Sequence, residues 1–222
     1  MANDSDTPVE ITPQLLLQAY ACGVFPMAES AGSTELFWLQ PQMRGVLPLD
    51  RLHIPRRLAR TIRGDHFEVR ASTDFSSVIN ACAAPRADAT DTWINPQIKQ
   101  LYTALFESGC AHTIEVYQQG NLVGGLYGVA LGGAFFGESM FSRARDASKV
   151  ALVHLVARLR YGGYVLLDTQ FQTDHLAQFG TTEIPSADYE IQLERALPLE
   201  ADFFALPQAS TGADVLRYAT DR

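Results

Sequence analysis

The chain has 222 residues, 47% hydrophobic and 19% charged, which fits a globular protein with one substantial core and room for a small second unit. Its net charge of −8 argues against indiscriminate nucleic-acid binding, and no apolar run approaches the roughly 20 residues that span a bilayer. The three cysteines form no CxxC motif and the five histidines no metal-spaced pair, so we expect a cytoplasmic protein with reduced thiols and no metal.

The first 43 residues predict a small N-terminal domain. Thr12 and Pro13 are typical of a helix start and Gly23 of a helix end, so we expect a helix over 14–22. A loop of small polar residues follows, and Pro41 closes the unit. The remaining residues, 44–222, are expected to form the larger domain.

The larger domain begins with alternating helices and strands. The sequence predicts a basic helix over 51–63, a strand over 66–71 and a helix over 75–83. A loop from Pro85 to Asp91 then leads to a helix over 96–108.

Three strand-like runs separated by short Gly-bearing turns predict an antiparallel meander over 113–117, 122–130 and 134–141. Asp146 is a candidate N-cap for the helix that follows. The remaining predicted elements are that helix over 147–161, a buried strand over 165–168, and helices over 174–179 and 187–196. A meander followed by a helix and another strand is typical of a mixed α+β sheet.

Two carboxylates interrupt otherwise apolar strands. Glu138 lies within the third meander strand, and Asp168 ends the strand after the long helix, with Gln170 two residues on. Burying a carboxylate is costly unless it is paired or hydrogen-bonded, so the pattern suggests a site. The structural alternative is an edge-exposed Glu and an Asp that caps a helix.

Positive charge is concentrated in two segments of this acidic chain. Residues 44–70 carry seven arginines against three acidic residues, and residues 143–160 carry five basic residues against one. Each segment therefore has a net charge of +4, and both are candidates to contact a phosphate backbone. The alternative is two solvated helix faces. The candidate phosphate contacts are Arg56, Arg57, Arg60, Arg143, Arg145 and Lys149.

Several common reaction motifs are missing. The sequence has no GxGxxG, Walker or GxSxG motif. The pyrophosphate loop of ordinary acetyl-CoA-dependent N-acetyltransferases is also missing. Residues 142–149 instead place three basic side chains at a strand-to-helix turn, which suits phosphate.

Many ordered motifs together resemble one family, the bacterial leucyl/phenylalanyl-tRNA–protein transferases. They extend over about residues 12–190, nearly the whole chain. The matching runs are Tyr20-Ala21-Cys22-Gly23-Val24-Phe25-Pro26, Thr92-Trp93-Ile94, Ala111-His112-Thr113-Ile114-Glu115-Val116, Leu122-Val123-Gly124-Gly125-Leu126-Tyr127-Gly128-Val129, Phe136-Gly137-Glu138-Ser139-Met140-Phe141-Ser142-Arg143, Ala147-Ser148-Lys149, Asp168-Thr169-Gln170, His175-Leu176 and Glu183-Ile184-Pro185.

The resemblance implies a catalytic domain of the N-acetyltransferase-like (GNAT-like) kind. It implies transfer of Leu, Phe or Met from aminoacyl-tRNA to the α-amino group of proteins that begin with Arg or Lys, which marks them for degradation. Neither a metal nor a small cofactor is implied, and the partners are aminoacyl-tRNA and the acceptor protein.

The same resemblance implies roles for individual residues. Asp168 and Gln170 are the expected catalytic pair, both pointing to one face of a strand, with Asp168 either orienting Gln170 or taking a proton. Glu138 is expected to bind the cationic N-terminal residue of the acceptor. The expected aminoacyl pocket consists of Leu126, Phe135, Met140, Leu155 and Leu167, although plain core packing is an alternative for each of them.

The terminal adenosine of the tRNA is expected to stack on Trp93. The family commonly has Trp where this chain has Met27, so Met27 is expected to be a softer second partner. An Arg-rich stretch often follows Glu-Ile-Pro in the family, but residues 186–188 here are Ser-Ala-Asp.

Two other functions remain open at this point. The first is a non-catalytic adaptor that binds N-terminal Arg or Lys, which would need Glu138 but not Asp168 and Gln170. The second is an acyl-CoA-dependent N-acetyltransferase, which the missing pyrophosphate loop disfavours.

Overall fold

The computed structural model describes residues 11–85 and 91–220. Within these residues a seven-stranded mixed sheet carries helices on both faces, and a two-stranded antiparallel sheet stands apart from it. The predicted mixed sheet of an α+β fold is therefore confirmed. The predicted loop from Pro85 to Asp91 lies mostly on 86–90, outside the described residues.

The N-terminal unit begins with helix α1 (Pro13–Ala21), whose first turn is capped by Thr12 as expected, since its hydroxyl accepts from Leu15 N at 3.2 Å. Strands β1 (Phe25–Ala28) and β2 (Leu36–Leu39) then pair antiparallel to form the small sheet.

Strand β3 (Met43–Val46) leaves this unit and enters the main sheet. It lies between β8 (Leu166–Gln170) and β9 (Thr182–Pro185) and is antiparallel to both. Gly45 permits this insertion because a Cβ there would lie 2.6 Å from the carbonyl carbon of Phe171. A four-residue strand offers too little alternation to be recognised from sequence.

The prediction of a basic helix over 51–63 is wrong for residues 51–55. A short 3-10 helix (Leu49–Arg51) is followed by extended chain, and α2 covers only Arg56–Arg63. Pro55 explains the break, since the residue before a proline is driven out of the helical region. Strand β4 (Glu68–Ala71) and helices α3 (Phe75–Cys82) and α4 (Pro96–Glu107) follow close to the predicted bounds.

The predicted meander is confirmed. Strands β5 (Ala111–Gln118), β6 (Asn121–Leu131) and β7 (Ala134–Ser142) pair antiparallel in sequence order. Helix α5 (Ala147–Tyr161) then crosses over so that β8 runs parallel to β7. The resulting strand order is β4-β5-β6-β7-β8-β3-β9.

Each face of the sheet has its own hydrophobic core. One core packs α5, α2 and α8 (Gly212–Thr220) against the sheet, and the other packs α1, α3, α4 and α7 (Ser186–Ala196) against the opposite face. Helix α6 (Asp174–Ala177) is shorter than predicted, and α8 was not predicted.

The parallel strands β7 and β8 separate soon after they meet. Their pairing covers Ala134↔Leu166 to Phe136↔Asp168, whereas β7 continues to Ser142. A register shift between β6 and β7 leaves Glu138 as the extra residue of a β-bulge, because Tyr127 pairs with Ser139 and Gly128 with Gly137. The bulge and the separation of the strands therefore occur at the same point of the sheet.

At Gly128, beside this bulge, the strands pack so closely that a side chain would not fit. A Cβ at this position would lie 2.3 Å from the carbonyl oxygen of Phe136 and 2.4 Å from the Phe135 ring. We expect Gly128→Ala to destabilise the fold by about 1–3 kcal/mol, as overpacking does. Urea denaturation measures the loss. Gly32→Ala is the control, since its Cβ would meet nothing within 4 Å, and equal midpoints for the two variants would contradict the close packing.

Candidate active site

A cavity of about 990 Å³ opens where β7 and β8 separate, and it reaches both faces of the sheet. On the α5 face its lining is mainly aliphatic, with Asp146, Ser148 and Lys149 at the start of α5. On the opposite face it is aromatic and polar, with Trp93, Tyr127 and Glu138 among its residues. The aliphatic lining residues are Leu126, Met140, Leu152, Leu155, Leu167 and Leu176. The gap between the strands thus joins an apolar pocket to a polar one.

Glu138 lies at this junction and accepts three hydrogen bonds. Tyr20 of α1 donates its hydroxyl to Oε1 at 2.7 Å, and Tyr102 of α4 donates to Oε2 at 2.9 Å. The amide of Gln170 also donates to Oε1, at 3.0 Å. The two tyrosine hydroxyls contact each other as well. Glu138 is therefore held by residues from three separate elements while it still lines the cavity.

The surroundings of Glu138 favour its neutral form. Burial is the main cause and raises the pKa of Glu138 from its ordinary value of 4.5 to about 7. The tyrosine hydroxyls that donate to the carboxylate partly offset this increase in pKa, whereas the negative charge of Asp168 adds to it.

Asp168 is fully buried in an ion pair with Arg44. The guanidinium donates from Nε to Oδ1 at 2.9 Å and from Nη2 to Oδ2 at 2.6 Å. Tyr189 OH donates to Oδ2 at 2.8 Å, and the backbone N–H of Gln170 donates to Oδ1 at 2.8 Å. Arg44 in turn donates to the carbonyl oxygen of Gly23 at 2.8 Å. Both carboxylate oxygens of Asp168 are therefore fully engaged.

Asp168 and Gln170, the expected catalytic pair, differ in their contacts. Gln170 has a φ of +59°, a left-handed backbone conformation, at the end of β8. Its amide lines the cavity beside Glu138, whereas Asp168 is not part of the lining among the described residues. The Asp168 carboxylate holds the Gln170 backbone in place instead.

Four of the five expected pocket residues line the aliphatic side of the cavity, namely Leu126, Met140, Leu155 and Leu167. Phe135 does not. It lies in the core, where its ring stacks on Phe203 at a centroid distance of 5.8 Å and packs against Tyr164.

The residues expected to bind tRNA lie in two places. Trp93, Met27, Arg143 and Lys149 line the cavity, with Lys149 bound to Gln178 at 3.0 Å. Arg145 is exposed nearby, 3.8 Å from Asp146. Three others, which are outside the cavity lining among the described residues, are exposed on α2: Arg56, Arg57 and Arg60.

Several arginines of the two basic segments are not available to a phosphate backbone. Arg44 is buried against Asp168, and Arg158 is buried with its guanidinium bonded to the carbonyls of Phe203 and Leu206. Arg160 likewise donates to backbone carbonyls, at Leu49 and Ala219. These three side chains reduce the positive charge that the two segments can offer to a phosphate backbone, because sequence charge does not reveal burial.

Asp146 precedes α5 as predicted, but its side chain makes no capping hydrogen bond and its φ is +65°. Ser142 Oγ instead accepts from the backbone N–H of Ser148 at 3.3 Å. The Asp146 carboxylate lies 3.8 Å from Lys149 Nζ and lines the cavity.

Among the described residues no group of three or more His, Cys, Asp or Glu side chains is placed to hold a metal ion. Across 11–85 and 91–220 no helix has the length and apolar character needed to cross a membrane.

Comparison with known proteins assigns the chain to a family. Residues 46–194 match the profile described as leucyl/phenylalanyl-tRNA protein transferase, and residues 9–42 match the profile of its N-terminal domain. The chain belongs to the leucyl/phenylalanyl-tRNA–protein transferase family. The family expected from the motifs is thereby confirmed, and with it the enzyme class, an aminoacyltransferase.

Proteins with this family name resemble the chain along almost their full length. The one from Nitrobacter winogradskyi is 59% identical over 215 residues, 96% of either chain. The one from Afipia carboxidovorans is 56% identical over 218 residues, 97% of this chain and 96% of the relative. The one from Caulobacter vibrioides is 58% identical over 202 residues, 91% of this chain and 93% of the relative.

Four residues around the two carboxylates were missed by sequence reasoning. Tyr20 lies inside a matching family motif, which was a usable signal, but nothing in the sequence distinguishes Tyr102 or Tyr189 from core aromatics. Arg44 was counted as a surface charge, although its guanidinium lies between the rings of Phe25 and Tyr189 at 4.6 and 4.5 Å.

The buried ion pair leads to a stability prediction. Arg44→Met removes one partner and leaves Asp168 charged and buried, so we expect a loss of about 3–5 kcal/mol in the free energy of unfolding. Arg217→Met is the control, because its pair with Asp214 is exposed and its removal should leave the unfolding midpoint unchanged. Chemical denaturation of both variants gives the comparison. Similar losses in the two would contradict the special role of the buried pair.

Glu138 leads to a prediction of pH dependence. Folded Glu138 keeps its proton up to about pH 7, whereas the unfolded chain releases it near 4.5. The folded state then binds more protons between these values, so stability falls as pH rises. Between pH 4.5 and 7.5 the free energy of unfolding of wild type should fall by about 3 kcal/mol more than that of Glu138→Gln. Urea unfolding at several pH values measures both. Parallel curves for the two proteins would refute the raised pKa.

Proposed function

We propose that this protein transfers Leu, Phe or Met from aminoacyl-tRNA to the α-amino group of proteins that begin with Arg or Lys, which marks those proteins for degradation. The observation that carries the proposal is the cavity between β7 and β8, which places Glu138 and Gln170 between an apolar pocket and an aromatic, cation-lined mouth. The family membership supports the reaction class.

The aliphatic side of the cavity suits the side chain that is transferred. Leu126, Met140, Leu155 and Leu167 come from four elements, and none of them has a polar side chain. Burying a Leu or Phe side chain among them contributes about 1.5–3 kcal/mol. Burying a charged side chain among these four residues would cost its hydration free energy, which favours an apolar side chain.

The other side of the cavity suits the end of the tRNA. Trp93, with Met27, would stack on the terminal adenosine, since base stacking on an aromatic side chain contributes about 1–3 kcal/mol. At the edge of the α5 face, Arg143 just before α5 and Lys149 in its first turn line the cavity, where phosphate is favoured, with Arg145 close by. Arg56, Arg57 and Arg60 on α2 would meet a more distant phosphate.

Gln170 and Glu138 suit the acceptor. Aminolysis of an ester needs an oriented amine and support for the oxyanion, and no covalent enzyme intermediate. The Gln170 amide is placed to bind the incoming amine or the tetrahedral oxygen. Glu138 would bind the cationic N-terminal residue by a charge-assisted hydrogen bond. Asp168 serves as a positioning residue, because Arg44, Tyr189 and the Gln170 backbone engage both of its oxygens.

We further propose a GNAT-like catalytic domain over 44–222 and a small N-terminal domain over 1–43, in the cytoplasm. The helical crossover between parallel β7 and β8, and their separation beyond Asp168, support the fold assignment. The separate β1–β2 sheet supports the domain division, with β3 lying at the boundary. The proposed enzyme uses no cofactor.

Transfer of labelled Leu from Leu-tRNA to an Arg-initiated peptide tests the function. We expect transfer to Arg- and Lys-initiated peptides, and none to an Ala-initiated peptide or to a peptide with an acetylated N-terminus. Peptide binding without transfer would identify an adaptor instead. Transfer from acetyl-CoA would identify an N-acetyltransferase.

Gln170→Ala should lower turnover by roughly 10²–10³, the scale of one oxyanion donor, with little change in tRNA affinity. Gln170→Gly is the matched variant, because glycine adopts the left-handed backbone of this position without strain. Equal losses in both variants would show that the amide is responsible. If Gln170→Gly turned over normally, backbone strain would explain the Ala variant and the amide would have no role in the chemistry.

A further inference from the structure

Phe171 is exposed inside the cavity. Of the large hydrophobic side chains exposed in the part of the chain that the structure describes, Phe171 is the one that lines the cavity, and it is 43% exposed. An apolar ring left this open to water at a ligand-sized cavity marks a contact with a ligand.

The backbone holds Phe171 firmly in this position. It follows the left-handed Gln170, and its N–H donates to the carbonyl of Thr169 at 2.6 Å. Gly45 of β3 packs directly on its backbone, where no Cβ would fit. The ring meets Phe25 edge to face, with centroids 5.9 Å apart and an interplanar angle of 81°. The exposed ring is therefore part of a rigid frame.

The neighbours of Phe171 belong to the aromatic side of the cavity. Phe25 and Met27 are two residues apart on β1 and thus share one face of that strand. Both line the cavity, as does Trp93. The Phe171 ring is packed on the same face of β1 from which Met27 projects.

We propose that Phe171 is a base-stacking residue for the terminal adenosine of the aminoacyl-tRNA and provides the aromatic face that Met27 lacks. This inference rests on the proposed function. A nucleobase is flat and apolar on both faces, so it covers an exposed ring without needing a polar partner. The transferred side chain has the aliphatic part of the cavity on the other side of the sheet and does not need this ring.

The test uses a minimal donor, 3′-phenylalanyl-adenosine, which carries the base but no phosphate. Phe171→Ala should raise the KM for this donor about 5- to 150-fold, the range for loss of one stacking contact. Phe171→Trp should keep the wild-type KM. The KM for the Arg-initiated peptide, measured at saturating donor, should not change.

A second donor isolates the base from the rest of the ligand. When adenine is replaced by hydrogen at C1′, wild type and Phe171→Ala should have the same KM, because no base is left to stack. Introducing Met27→Trp into Phe171→Ala should restore much of the lost affinity for 3′-phenylalanyl-adenosine. Phe204→Ala is the matched control, since Phe204 is 54% exposed and lies outside the cavity lining among the described residues.

The outcomes separate this inference from the function on which it rests. If wild type transfers neither Leu nor Phe from its aminoacyl-tRNA, the proposed function is wrong. If wild type transfers Phe and Phe171→Ala has an unchanged KM for the adenosine donor, only the stacking role is overturned. A raised KM for the peptide alone would assign Phe171 to the acceptor, and an equal loss with the base-free donor would make the ring merely structural. Both results would overturn the proposal.

Discussion

The buried ion pair between Arg44 and Asp168 is the interaction on which the rest of the site depends. Arg44 enters the main sheet on β3 and reaches the carbonyl that ends α1, the ring of Phe25 on β1 and the hydroxyl of Tyr189 on α7. Asp168 in turn accepts a hydrogen bond from the Gln170 N–H and so holds that backbone in place. One guanidinium therefore fixes the N-terminal unit, α7 and β8 relative to one another. A buried charge pair contributes little net stability, but it penalises any arrangement that separates the partners.

The separation of β7 and β8 opens the cavity beside the residues that Arg44 and Asp168 hold in place. A continuous sheet would divide the two cores completely, whereas the gap beyond Asp168 lets one cavity reach both faces. The bulge at Glu138 lies at the start of the gap and directs a carboxylate into it. On the proposed function, the transferred side chain and the acceptor cation approach from opposite faces of the sheet and meet beside Gln170.

The elements and site residues that could be predicted from the sequence are those marked by residues close together in the chain. The meander, the long helix α5 and the marked positions of Glu138 and Gln170 follow from strand alternation, glycine turns and polar residues in apolar runs. Sequence reasoning failed where the outcome depends on distant partners. Asp168 was expected to face the substrates because nothing near it in sequence shows Arg44, which lies 124 residues away. Phe135 was placed in the pocket because residue type does not distinguish a pocket residue from a core aromatic, here one that packs on Phe203 and Tyr164. Strand β3 was not predicted because it pairs only with strands that are distant in the sequence.

Burial also lowers the positive charge that the chain can offer to a nucleic acid. Arg44, Arg158 and Arg160 neutralise a carboxylate or bond to backbone carbonyls, so the two basic segments offer fewer free charges than their sequence total suggests. At the cavity, Arg143 and Lys149 remain, and Lys149 is shared with Asp146 and Gln178. The affinity gained from phosphate contacts scales with the number of phosphates neutralised, and an acidic chain repels the rest of a nucleic acid. On the proposed function, recognition of the aminoacyl end must therefore come chiefly from stacking and from the aliphatic pocket, with the charges serving to orient the acceptor stem.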